Sequence, residues 1–364
     1  MQFASKVWGG IGMKEVWDAI VIGGGQAGLA SGYHLQKNGL RFLILEANER
    51  AVGSWPNYYD SLKLFSPARF SSLPGLKFPG AGDHYPLRDE VIRYLQKYAK
   101  QFRLPIQTNQ RVDSVEKTGD TFSIRTVSGN TYLSRTVINA TGAFQHPYMP
   151  VIKGREEFRG NILHSSAYRN PTPFVNQRVV VVGAGNSAVQ IAAELAEVSK
   201  TSLAVLRSVK FVKQRILGRD LHVWIRALGF DTFPIWRFGG VVPRSRLVID
   251  LGQYKERLAA GKPDQRPMFS SFHADGVIWP DGTTERVDTV IFATGYRPHL
   301  AHLRNTGALD AEGRPLQAAG ISTSVPGLYY VGLEGQRSFA SATLRGVGPD
   351  AKFVVQKLLR HLKK

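Results

Sequence analysis

At 364 residues and 43% hydrophobic content, the sequence holds enough apolar material for two domains of ordinary size. It contains no cysteine, which excludes disulfides, thiolate metal sites and nucleophilic thiol chemistry. Against 47 Lys and Arg stand 28 Asp and Glu, a formal charge of +19 that attracts anionic ligands, acidic proteins and anionic lipid surfaces. The cations are scattered and lack an aromatic–basic pattern, so nucleic acid is not an expected partner.

Residues 1–13 read as an extension, with the core starting near Lys14, and they lack the features of a signal peptide. No apolar run is long enough for an integral membrane segment, so a soluble cytoplasmic protein is expected, with a homodimer as a reasonable assembly. Residues 17–39 then give a β-branched apolar run, a glycine turn and a helical pattern, followed by a second apolar strand over 41–47. This is a βαβ unit. In Gly23-x-Gly25-x-x-Gly28 the first glycine permits the tight turn, the second admits a pyrophosphate, and the third allows close helix–strand packing at a dipole-positive helix start. Gly32 keeps the same helix face small. Glu46 follows at the end of the next strand, where a carboxylate accepts from ribose hydroxyls and repels a 2′-phosphate. The first unit therefore suits FAD or NAD and not NADP.

Residues 121–142 read as alternating strands with a Ser-Gly-Asn turn, ending in Ala140-Thr141-Gly142. A second strand–turn–helix unit occupies 177–199, with a strand over 201–208. Its loop is Gly183-x-Gly185-x-x-Ala188, and the following strand ends in Arg207-Ser208 where the first unit has a carboxylate. A guanidinium beside a hydroxyl suits a 2′-phosphate, so NADPH is expected here, with NADH as the alternative. Residues 211–272 read as an elaboration of the second unit, with helical pieces around 219–229 and 246–260. Residues 276–298 repeat the earlier strand pattern, with Asp281-Gly282 as the turn, and end in Ala293-Thr294-Gly295-Tyr296. A strand, a glycine loop and a terminal helix over 328–364 return to the first domain.

The expected architecture is α/β: a two-dinucleotide-binding-domain flavoprotein of glutathione-reductase-like, three-layer Rossmann type. The FAD-binding domain is expected over 14–155 and 286–364, and the NADP-binding domain over 156–285. Two nucleotide loops imply hydride transfer from a nicotinamide to a second bound redox cofactor, for which a flavin is the usual receiver. Without cysteine the onward route to a dithiol is closed, leaving dioxygen, a quinone or a redox protein. His273, His299 and His302 have no metal-ligand spacing with carboxylates, and no hydrolase elbow stands in a convincing context.

Phe158-x-Gly160-x-x-x-His164-x-x-x-Tyr168, lying between the two glycine loops, resembles the fingerprint of the flavin-containing monooxygenases and related class B flavoprotein monooxygenases. Together with both loops and both Ala-Thr-Gly motifs, the similarity spans nearly the whole chain from about residue 17. It implies reduction of FAD by NADPH, a C4a-(hydro)peroxyflavin formed with dioxygen, and oxygenation of a small amine, sulfide or ketone. Gly53-Ser54-Trp55 resembles the family's Gly-x-Trp turn near the flavin. Phe65 and Ser66 stand where larger members carry an asparagine near flavin C4a, a departure that bears on how well the oxygenating intermediate is protected and points to the smaller bacterial members. These two and His164 are the catalytic candidates, with His164 placing the nicotinamide strand or linking the domains and not acting as acid or base.

The cofactor-binding set expected from these motifs is Gly23, Gly25, Gln26, Ala27, Gly28, Glu46, Ser54, Trp55, Ser66, Val112, Ala140, Thr141, Gly142, Gly183, Gly185, Asn186, Ser187, Ala188, Arg207, Ser208, Thr294, Gly295 and Ala342. Residues 340–343 are expected to open the last helix, with backbone N–H groups at the flavin's N1/O2 edge. The alternative function is a flavin reductase serving ferredoxin or a quinone, and a regulatory cofactor binder without turnover is a third.

Overall fold

The structure, a computed structural model, describes residues 15–231, 233, 234, 237 and 247–364. The expected extension over 1–13 and its junction at Lys14 lie outside the described residues. Two separate sheets organise the rest.

In the first sheet Val16–Ile22 is central, parallel to Phe42–Leu45 on one side and to Thr131–Asn139 on the other. Ile106–Gln107 extends the sheet beyond Phe42–Leu45, and Leu328–Tyr330 joins in parallel beside Thr131–Asn139. Successive side chains of the central strand enter opposite cores: Ala19 and Val21 face the helices Gln26–Lys37, Arg88–Gln101 and Leu344–Leu362, whereas Ile20 and Ile22 face Phe122, Ile124 and Leu303. Burial on both faces explains why Ala19–Ile22, the second half of this strand, is apolar throughout.

The second sheet is all parallel, in the order Asp264–Pro267, Lys200–Val205, Arg178–Val182, Thr289–Phe292 and Asn161–His164. Val179 and Val181 pack towards the helix Asn186–Leu195, and Val180 and Val182 towards Phe158, Phe272 and Trp279.

Three details differ from the reading of the sequence. Thr289–Phe292 belongs to the second sheet, beyond the expected boundary at 285, because its hydrogen bonds run to Arg178–Val182 and Asn161–His164. The expected helix over 246–260 is shorter, Tyr254–Ala259, and Leu247–Ile249 is a strand parallel to Lys210–Val212, consistent with its β-branched content. Asp264–Pro267, within the stretch expected to elaborate the second unit, is an edge strand of the second sheet, where a terminal proline costs no ladder bond.

Candidate functional site

The first glycine loop is built by close backbone approach. Gly23 adopts φ 105°, and a Cβ there would lie 2.7 Å from the Ala140 carbonyl oxygen. At Gly28 a Cβ would lie 1.9 Å from the Gly23 oxygen, so the third glycine admits no side chain. Gly25 faces Gly53, whose φ is 59°, bringing the Gly53-Ser54-Trp55 turn onto the loop. Gly32 meets Ile44 and Phe42 on the neighbouring strand, as the small helix face requires.

Glu46 is buried at the end of its strand. Its Oε2 accepts from Gly24 N–H at 2.6 Å, and its Oε1 accepts from the backbone and side-chain nitrogens of Asn48, each at 2.8 Å. One acceptor position remains on Oε2. The Glu46 backbone carbonyl accepts from Gln110 N–H at 2.8 Å, which places the start of the strand Val112–Thr118 beside it.

Gln26, at the start of the first helix, links three distant segments. Its Oε1 accepts from Trp55 Nε1 at 3.2 Å, and its Nε2 donates to the Ala342 carbonyl at 2.6 Å. Ser54 Oγ lies 3.0 Å from Tyr58 Oη. Ala342 has φ 71°, a left-handed conformation that costs a non-glycine residue about 1 kcal/mol. The last helix begins at Leu344 with Thr343 as its cap, so residues 340–342 form a turn before the helix and do not open it. Within that turn Ser341 and Thr343 donate their N–H groups to the Ser338 and Ala340 carbonyls. Ala27 faces Gly332, which in turn approaches Gly142. Gly332 lies outside the motifs of the sequence reading, and its signal is a glycine closely following an apolar strand.

The second loop repeats the pattern. Gly183 has φ 140° and packs on the Ala293 carbonyl, and Ala188 is fully buried with its Cβ against Gly183. Gly185 faces open space, with no atom within 4 Å of a Cβ built there. Beside it, Asn186 opens the helix and keeps a buried Oδ1 without a protein partner. An open glycine, a helix start and an uncommitted side-chain amide fit a pyrophosphate. Ser187 follows in the first turn, and Arg207 and Ser208 are exposed just beyond Lys200–Val205.

His164 is buried, and burial pulls its pKa below the usual histidine range. Its Nδ1 accepts from Ser166 N–H at 3.1 Å, so Nε2 carries the proton and donates to the Gly295 carbonyl at 3.0 Å. The ring meets Tyr296 edge-on at 4.9 Å. Thr294 Oγ1 bonds the Tyr148 carbonyl, so the whole Ala-Thr-Gly-Tyr turn is tied down. The fingerprint's other members are equally structural. Gly160 leaves room for Phe158 and the Asp288 carbonyl, and Tyr168 donates to Glu194 Oε2 at 2.8 Å. The same Glu194 oxygen accepts from Ser61 at 3.0 Å, and Tyr59 donates to Gln190 at 2.8 Å, joining the two nucleotide units.

Phe65 and Ser66 are not placed alike. Ser66 is buried and its hydroxyl lies 3.0 Å from Ser71 Oγ, closing its own loop. Phe65 stacks on His222, with Phe70 on the same ring at 6.0 Å. His222 Nδ1 lies 2.9 Å from Asp220, which also accepts from Tyr85, and Asp231 pairs with Arg345 at 2.8 Å. The segment after the second unit is thus fastened to the first domain at two points. No sequence signal marks these pairs, whose members are 114 to 135 positions apart in the two cross-domain bonds.

Among the described residues no helix is long and apolar enough to cross a membrane. Residues 20–228 match the family described as pyridine nucleotide-disulphide oxidoreductase. An uncharacterized CzcO-like oxidoreductase of Geobacillus kaustophilus is 37% identical over 96% of this chain and 100% of its own length. An indole-3-pyruvate monooxygenase of rice, YUCCA4, is 30% identical over 96% of this chain and 88% of its own length. A flavin-containing monooxygenase from Stenotrophomonas maltophilia superposes with a TM-score of 0.84 at 33% identity, covering 96% of this chain and 99% of that one. The bacillithiol disulfide reductase of Staphylococcus aureus, at 20% identity and a TM-score of 0.73, shares the fold. Dithiol chemistry is closed to a chain without cysteine. With its two nucleotide loops in place, the chain belongs to the pyridine nucleotide-disulphide oxidoreductase family, as a flavoprotein oxidoreductase of the flavin monooxygenase type.

Proposed function

We propose that the chain holds FAD in the first unit and NADPH in the second, and uses dioxygen to oxygenate a small sulfide, amine or ketone. The observation that carries this reading is the contrast between Glu46, buried against the first glycine loop, and Arg207, exposed beyond the second. The free acceptor position on Glu46 suits a ribose hydroxyl, whereas Arg207 with Ser208 suits a 2′-phosphate. Bound FAD supplies oxygen activation and bound NADPH the hydride.

The residues of this chain bind, orient and exclude water. Gly23, Gly25 and Gly28 admit the flavin pyrophosphate to the helix start at Gln26, and Gly183, Gly185, Asn186, Ser187 and Ala188 do the same for the nicotinamide nucleotide. Trp55, Ser54 and Ala342, tied through Gln26 or Tyr58, form a wall at the flavin, with Val112, Ala140, Thr141 and Gly142 along its nucleotide half. Phe65 supplies an apolar face that limits water, and Ser66 shapes its loop. Neutral His164 holds Gly295, and the Tyr148 carbonyl holds Thr294, at the turn assigned to the nicotinamide end. We place the protein in the cytoplasm, where both cofactors are recycled.

The test follows NADPH oxidation by the flavin-loaded protein under air and under argon, with a thioether and with indole-3-pyruvate. Strict dependence on dioxygen with an oxygenated product supports the proposal. Rapid anaerobic turnover with ferredoxin or a quinone overturns it in favour of an electron-transfer reductase, which the +19 charge would steer to an acidic partner.

A further inference from the structure

The segment fastened across the two domains also presents a surface that cofactor binding does not use. Arg215–Ile216 and Arg219–Asp220 pair as an antiparallel hairpin, with Leu217 and Gly218 at its tip. Leu217 is 85% exposed and has φ 49°, the left-handed region in which a leucine is disfavoured. In water this residue has neither a favourable backbone nor buried surface to offset it. Asparagine or glycine would relieve the first problem and a polar side chain the second, so a leucine here points to an apolar surrounding that the described residues do not provide.

The tip is rigidly backed. Trp224, on the helix Leu221–Ala227, donates from Nε1 to the Ile216 carbonyl at 3.0 Å. Leu228 N–H donates to the Trp224 carbonyl, which puts Leu228 one turn further along the same helix face. Ile216, Leu228 and Phe230 are exposed, extending the apolar strip from the tip. Arg215 and Arg219 stand on either side of the tip, and Lys213 and Arg226 lie within ten residues of it along the chain, all exposed and without an ion pair among the described residues. The carboxylates nearby, Asp220 and Asp231, are committed to Tyr85 and His222 and to Arg345.

We propose that this hairpin and helix form a peripheral anchor for an anionic lipid surface: Leu217 and the strip behind it enter the headgroup–acyl boundary, while the flanking cations meet lipid phosphates. A second copy of the chain fits poorly, because a two-fold contact would set the same cations against each other. An acidic protein fits less well than a bilayer, because the apolar side chains are ringed and interrupted by cations, whereas protein interfaces have charge-depleted centres.

The test uses the full-length protein and sedimentation with vesicles of phosphatidylcholine alone or mixed with phosphatidylglycerol, so the readout does not depend on turnover. Binding is expected to the mixed vesicles, to weaken as salt is raised, and to fall about fivefold for each cation removed at Arg215 or Arg219. Leu217→Ser weakens it further and leaves NADPH oxidation unchanged. A control, Lys97→Gln with Lys100→Gln on Arg88–Gln101, binds as the parent does. Absence of vesicle binding, equal binding to neutral vesicles, or equal losses in the control variant would each overturn the proposal. Retention on immobilised polyglutamate without vesicle binding, lost in Arg215→Gln, would assign the face to an acidic protein. A concentration-dependent dimer abolished by Leu217→Ser would assign it to a second copy.

Discussion

Gln26 Nε2 donates to the Ala342 carbonyl at 2.6 Å, a bond between residues 316 positions apart. It fixes the turn before the last helix against the start of the first helix, and through Trp55 it fixes the Gly53-Ser54-Trp55 turn as well. A leucine at position 26 removes both bonds, a loss of about 1–3 kcal/mol in a partly buried setting. Flavin dissociation from Gln26→Leu should rise by roughly tenfold or more, read from cofactor retained after gel filtration. Ala342→Gly should retain flavin and raise the unfolding midpoint slightly, because glycine accepts φ 71° without strain.

Glu46, the proposed ribose acceptor, is tested by a single conservative change. Glu46→Gln keeps an acceptor but places an amide group against the Gly24 and Asn48 donors, so flavin content should fall sharply. The measurement is the flavin-to-protein absorbance ratio after reconstitution. Full flavin content in this variant would remove Glu46 from the site.

Arg207→Ala should lower the NADPH-to-NADH efficiency ratio by roughly 10- to 100-fold, the value of a charge-assisted phosphate contact. Steady-state kcat/KM with each nucleotide measures it, and Ser208→Ala should give a smaller change of the same sign. An unchanged ratio in Arg207→Ala refutes the assignment.

The buried pair Arg337–Asp350 is asymmetric. Asp350 is fully buried, with Oδ1 accepting from Arg337 Nε at 2.8 Å and Oδ2 without a partner, and burial pushes its pKa up against the opposing effects of Ser341 and Arg337. Arg337→Ala leaves the buried carboxylate uncompensated and should cost about 3–5 kcal/mol, whereas Asp350→Asn should cost less. Denaturant midpoints of the two variants, at equal flavin content, check the order.

His302 carries a pH dependence of predictable sign. Its Nε2 lies 2.8 Å from Asn139 Oδ1, and burial, with a smaller contribution from His299, lowers its pKa from 6.5 to about 4. The folded protein therefore favours the neutral ring. That stabilisation is complete above pH 6.5 and is lost as pH falls towards 4, at most about 3 kcal/mol. His302→Gln, which keeps a donor to Asn139, should flatten the loss of urea stability across this window.

Much of the fold was legible because its periodicities are local. The alternating burial of 19–22 and 179–182 follows from β-branched runs, and the glycine spacing fixes where each helix starts. Less was legible where partners are remote or conformation is not periodic. Thr289–Phe292 reads the same in either sheet, and only its pairing with Arg178–Val182 assigns it. The contact of Asp220 with Tyr85 spans 135 positions, and the turn at 340–342 gives no sequence sign that Ala342 is left-handed. The His164 fingerprint was readable as a pattern, but its role in holding the Gly295 turn emerged from the hydrogen bonds.

The order of the strands also governs when the protein matures during synthesis. The second sheet is built from one continuous stretch, 161–292, and can fold while the ribosome is still extending the chain. The first sheet waits for Leu328–Tyr330, and the Gln26–Ala342 bond for the turn before the last helix. Completion of the first unit is therefore expected to be a late event of biogenesis, after the nascent chain has emerged past residue 342.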